Sequence, residues 1–100
     1  DTIILPSGKR SPGLTFYYIS RSILESFGII KEFIIRQEKI DTFIFEIVSS
    51  RNLSDGEIQQ IQQKMDIYLE PDLKIKIIRQ NTIERPKSGK LKHFYSEIYD

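Results

Sequence analysis

The hundred residues predict an α+β domain: a small antiparallel sheet with two helices packed on one face, preceded by a β-hairpin. Three observations carry the prediction. Two stretches place apolar residues at the three-and-four spacing of a buried helical face, and three others are rich in the Ile, Val and Phe of strands. Their order (helix, strand, strand, helix, strand) lets both helices return over one side of the sheet.

Residues 1–14 open with apolar Ile3, Ile4 and Leu5, turn through Pro6-Ser7-Gly8, and close on Ser11-Pro12-Gly13. That pattern predicts a β-hairpin with its tip near Gly8. Residues 15–27 place Phe16, Ile19, Ile23, Leu24 and Phe27 on one helical face, and Gly28 supplies a left-handed end. Tyr17 and Tyr18 fall partly outside that stripe, at rim or interface positions. Residues 29–37 and 42–49 flank the polar break Glu38-Lys39-Ile40-Asp41 and predict an antiparallel hairpin. Phe43, Phe45 and Ile47 share one face of its second strand; Ile44, Glu46 and Val48 share the other. Ser54-Asp55-Gly56-Glu57 is a capping box, with Ile58, Ile61, Met65 and Leu69 following at helical spacing until Pro71. Residues 73–79 alternate, with Leu73, Ile75 and Ile77 inward and Lys74 and Lys76 outward. Leu91, Phe94 and Ile98, with Tyr95, predict a short closing segment, helical, that ties the tail down. Together these make a sandwich of ferredoxin-like character.

Length confines the chain to a single domain, residues 1–100, with one core. At 39% hydrophobic and 29% charged residues, the composition is that of a globular domain. No apolar run is long enough to span a bilayer, no signal-peptide pattern opens the chain, and cysteine is absent. A cytoplasmic location is therefore expected, with no disulfide framework and no thiolate metal site. The chain begins at Asp1 without a methionine, as a piece of a longer protein would.

A net charge of +1 argues against a generic nucleic-acid binder. Residues 73–93 nevertheless gather seven lysines and arginines against one acid, Glu84, a field that favours a phosphate- or carboxylate-bearing partner. For most of them a solvated face is the simpler account. The chemistry concentrates in Glu84-Arg85-Pro86-Lys87-Ser88-Gly89-Lys90-Leu91-Lys92. Pro86 stops the preceding strand, Ser88-Gly89 makes a turn that can pass close to a ligand, and Lys90 carries a compact cation on a flexible stem. Conventional catalytic constellations are missing. His93 is the sole histidine and reads as a surface residue. Asp41, Asp55 and Asp72 sit at turns, where acids bond the local backbone. Neither a Gly-x-x-x-x-Gly-Lys loop nor a Gly-x-Gly-x-x-Gly fingerprint occurs. Phe43 and Phe45 lack the Lys/Arg-Gly neighbour of an RNA-recognition strand and suit core packing.

The chain resembles the C-terminal domain of adenylate-forming enzymes, of the phenylacetate–CoA ligase branch and its relatives in capsular-polysaccharide biosynthesis. Asp1-Thr2-Ile3-Ile4, with the turn at Gly8 and Arg10, resembles the hinge motif. Phe33-Ile34-Ile35-Arg36-Gln37 is similar to the middle hairpin of that branch. The stretch from Glu84 to Lys92 resembles the last motif: proline, polar spacer, Ser-Gly-Lys, basic residue. Phe94-Tyr95-Ser96-Glu97 is closer to the capsule-associated relatives than to the typical CoA ligase.

The resemblance implies a mobile lid that works against a larger N-terminal domain of the same enzyme. That domain would bind most of the ATP, the Mg²⁺ and a small carboxylic acid, with CoA as acyl acceptor. Lys90 would be the adenylation lysine, Ser88 and Gly89 would shape its loop, Asp1 would be the hinge, and Gly8 would reach the site in the thioester-forming orientation. Neither a nucleic acid nor a membrane is implied as partner, and the piece alone should be inactive. From a different class comes the alternative: a free-standing α+β module that binds a small anion or serves as a regulatory domain.

Overall fold

The structure, a computed structural model, describes residues 2–84 and 93–98, with the side chain of Ile23 outside it. Strands β1 (Thr2–Ile4) and β2 (Arg10–Pro12) pair antiparallel as a separate ribbon, with Ile3 opposite Ser11. Strands β3 (Ile30–Lys39) and β4 (Thr42–Ser49) form the expected antiparallel hairpin, turning at Ile40 and Asp41. With β5 (Lys74–Arg79) and β6 (Phe94–Ser96) they make a four-stranded sheet in the order β5-β4-β3-β6.

The α+β class is as the sequence predicts, but the sheet is mixed and not antiparallel throughout. β5 runs parallel to β4, and β6 parallel to β3. The connection explains the first pair. Helix α2 (Asp55–Tyr68) lies between β4 and β5 in the chain, long enough to carry it back to the starting end of β4, as a parallel neighbour requires.

The closing segment is a strand and not the expected helix; Leu91, on which that expectation partly rested, lies outside the described residues. β3 would otherwise leave an edge of unpaired backbone groups. The tail fills it: the Ile35 N–H donates to the His93 carbonyl at 2.8 Å, and the Glu97 N–H to the Gln37 carbonyl at 3.0 Å. An extended tail also delivers Phe94 into the core, where its ring stacks on Phe16 at 5.0 Å.

Helix α1 (Thr15–Ile19) continues through a wider-wound turn, Ser20–Leu24, and a tighter one, Glu25–Phe27. Two serines bear on that change of winding. Ser20 Oγ donates to the Tyr17 carbonyl at 2.8 Å and Ser22 Oγ to the Ile19 carbonyl at 3.2 Å, competing with the backbone ladder. Gly28 ends the run at φ 71°, as predicted. The capping box of α2 is complete, with the Glu57 N–H donating to Ser54 Oγ at 3.2 Å and the Ser54 N–H to the Glu57 carboxylate at 2.8 Å.

Both helices cover one sheet face. Phe16 and Ile19 of α1 and Ile61 and Met65 of α2 join Ile35, Phe43, Phe45 and Ile47 in one core. Phe16 is central to it, with ring centroids 5.6 Å from Phe43 and 6.3 Å from Phe45. On the opposite face Ile44 is buried, Glu46 and Val48 are half-buried, and Ile78 is exposed.

Candidate functional site

The first ribbon is fastened to the domain body at three points. Ile3 and Leu5 are fully buried and join the main core. Gln37 is fully buried too, and its Nε2 donates to the Ile4 carbonyl at 2.6 Å and the Ile40 carbonyl at 3.3 Å. Gln37 Oε1 finds no hydrogen-bond partner, so the amide is held for what its nitrogen does. At the tip, Ser7 Oγ donates to one Glu70 oxygen at 2.5 Å and the Ser7 N–H to the other at 3.3 Å. That last contact is exposed and stabilises little; its effect is to fix where the tip points.

Gly8 stands at that tip, as the sequence predicts. Its N–H donates to the Leu5 carbonyl at 2.8 Å, and the Leu5 N–H to the Lys9 carbonyl at 2.9 Å. At φ 90° the position suits glycine, and nothing lies within 4 Å of where a Cβ would stand. The tip is exposed, and its base is packed into the core through Ile3 and Leu5.

Asp1, Ser88, Gly89 and Lys90 lie outside the described residues. Two residues that adjoin those segments in sequence, Thr2 and His93, line one concavity of about 530 Å³. Pro12, Leu14 and Tyr17 also border it, and Phe16 and Phe94 form part of its lining. His93 is exposed, and its ring stacks on Phe33 at 4.5 Å.

Within the basic stretch, each described cation has a local partner, a carboxylate for the two lysines and a backbone carbonyl for the arginine. Lys74 reaches Asp41 at 3.7 Å, Lys76 reaches Glu38 at 3.8 Å, and the Arg79 guanidinium donates to the Ser49 carbonyl at 3.0 and 3.2 Å. They belong to a solvated face, as the simpler reading has it. Thr42 and then Lys74 hold the Asp41 carboxyl below its usual range. Arg36 bridges Glu97 at 2.5 Å and Glu46 at 3.0 Å, chiefly through Glu97, which raises its already high pKa and ties the tail to β3 and β4.

The sequence reading missed Gln37 and Glu70. Gln37 left a signal, a polar residue at an inward position of a strand, two after Ile35. Glu70 left none, because its partner is 63 residues away.

The fold and these sites define a hairpin-led α+β domain in which no group of three or more metal-ligating side chains forms among the described residues. No described helix is long and apolar enough to cross a membrane. The family description CapK C-terminal domain matches residues 13–97, and the chain belongs to that family, C-terminal domains of capsule-biosynthesis-related proteins. No curated protein and no solved structure matches the chain. As a C-terminal domain, it has a partner domain N-terminal to it in the same polypeptide.

Proposed function

We propose that this domain is the lid of a cytoplasmic, ATP-dependent acid–CoA ligase of the phenylacetate–CoA ligase kind, serving capsular-polysaccharide biosynthesis. The observation that carries the reading is the family match, whose span contains Ser88-Gly89-Lys90. The ribbon geometry supports it. A loop that must arrive at a second domain's active site is best carried on a base that moves with the lid, and Gly8 sits on such a base.

In the first half-reaction the substrate carboxylate attacks the α-phosphorus of ATP, and pyrophosphate leaves. Two anions approach each other, and the Lys90 ammonium offsets the charge that builds up between them. The lid then turns about Asp1 and presents the Gly8 tip while the CoA thiolate displaces AMP from the acyl-adenylate. In this reading ATP and Mg²⁺ are held mainly by the preceding domain.

The test is a paired assay on the full-length enzyme. Lys90→Ala should slow pyrophosphate exchange by roughly 10²–10³-fold, the typical loss for one charge-stabilising contact in a closed site. Transfer from a supplied acyl-adenylate should be much less affected. Lys87→Ala and Lys92→Ala should change little in either step. Equal losses in both steps for Lys90→Ala, or equal losses for all three lysines in the first, would reduce the stretch to a generic basic patch.

A further inference from the structure

Helix α1 and the turn after it carry a second stripe, on the side away from the core. Leu14, Tyr17, Tyr18 and Arg21 follow each other at the three-and-four spacing of one helical face. Leu14 is 62% exposed, Tyr17 44% and Tyr18 55%, an unusual cluster of large apolar surface on one short element. The groups are already arranged among themselves. The Tyr17 and Tyr18 rings meet edge to face at 5.7 Å. Arg21 donates to the Tyr17 hydroxyl at 2.9 Å, with its guanidinium 5.6 Å from that ring's centroid. Side chains ordered before contact lose less entropy on docking, and tyrosine and arginine are the residues interfaces favour.

We infer that this stripe, with the concavity beside it, is the surface on which the preceding domain of the same polypeptide docks. Two observations select that occupant. Leu14 and Tyr17 border the same concavity as Thr2, so the polypeptide arriving at Thr2 from the N-terminal side is tethered at the edge of the patch. The patch is also small. Aromatic side chains bury roughly 150–250 Å² each. Only about half of each remains exposed at Leu14, Tyr17 and Tyr18, so the three supply on the order of 300 Å² on this side, or about 600 Å² counted over both partners, short of the roughly 1,000 Å² total that a lasting contact between separate chains needs. A tethered partner needs far less, because the linkage supplies an effective concentration in the millimolar range. A modest, reversible contact is also what a domain with two working orientations requires. The inference rests on the C-terminal-domain placement and not on the adenylation chemistry.

The full-length protein tests it through site-resolved maleimide labelling. Leu14→Cys is compared with Ile67→Cys on α2, whose parent residue is 72% exposed against 62% for Leu14. The Leu14→Cys thiol should label about tenfold more slowly, as expected if the docked state is about nine-tenths populated. Adding Tyr18→Glu, which places a charge in the patch, should bring the rate back to that of Ile67→Cys. Equal labelling of the two thiols would overturn the inference, and so would protection that Tyr18→Glu does not relieve. Protection lost on dilution would put a second copy on the patch and overturn it equally. Labelling needs no turnover, so failure of the ligase reading in the lysine assay would leave this result standing.

Discussion

Truncating Phe45 to alanine tests the core that positions everything else. The side chain is fully buried in the middle of β4, with Ile35 across one ladder and Ile77 across the other. Its ring meets Phe16 nearly edge-on at 80°, linking the sheet to α1. Phe→Ala at buried sites costs about 3–5 kcal/mol, and the lost ring–ring contact places this one toward the upper end. A domain of this size is stable by roughly 5–15 kcal/mol, so the variant should approach unfolding at room temperature. With about 4–8 °C lost per kcal/mol, its Tm should fall on the order of 20–30 °C. The assay is thermal and urea unfolding of the purified domain, with Ile78→Ala as the control. Ile78 lies on the outer face and is 38% exposed, so its truncation should cost about 1 kcal/mol or less. Equal losses for the two variants, or an unchanged Tm for Phe45→Ala, would refute the assignment of faces.

Two further outcomes are expected in the same domain. The Glu57 carboxyl is pulled from 4.5 down to about 2, first by Arg51 and then by the Ser54 N–H. Its folded value lies below its unfolded one, so its stabilisation is whole above pH 4.5 and is lost as pH falls toward about 2. Urea midpoints should drop across that window, and Glu57→Gln should flatten this part of the slope; an unchanged slope would mean that the carboxylate does not anchor α2. Gln37→Leu should destabilise by about 1–3 kcal/mol, because the Ile4 carbonyl loses its donor, although the orphan Oε1 goes as well. Stability equal to that of the parent would show that the ribbon is held by Ile3 and Leu5 alone.

Much of the fold was legible because its signals are local. Alternation assigned Phe43, Phe45 and Ile47 to the buried face of β4, where each is fully buried. A serine with a glutamate three residues on marked the start of α2, and Gly28 marked the end of the first helical run. Pro6-Ser7-Gly8 located the tip of the first ribbon. Such patterns need only a residue and its near neighbours, so the chain states them without its fold.

The tail could not be read in that way. Leu91, Phe94 and Ile98 fit a helical spacing, yet residues Phe94–Ser96 extend along β3 because that edge was open and Phe16 offered its ring. The parallel pairing of β4 with β5 likewise depends on where α2 returns the chain. Ser7 found Glu70, and Gln37 found Ile4, across separations of 63 and 33 residues. The sequence by itself determined the strands and helices as far as β5, the buried face of β4 and the position of Gly8. Which edges met, and therefore how firmly that tip is held, was decided only in the tertiary structure, because an unpaired strand edge and a buried amide are satisfied by whichever distant group the packing brings to them.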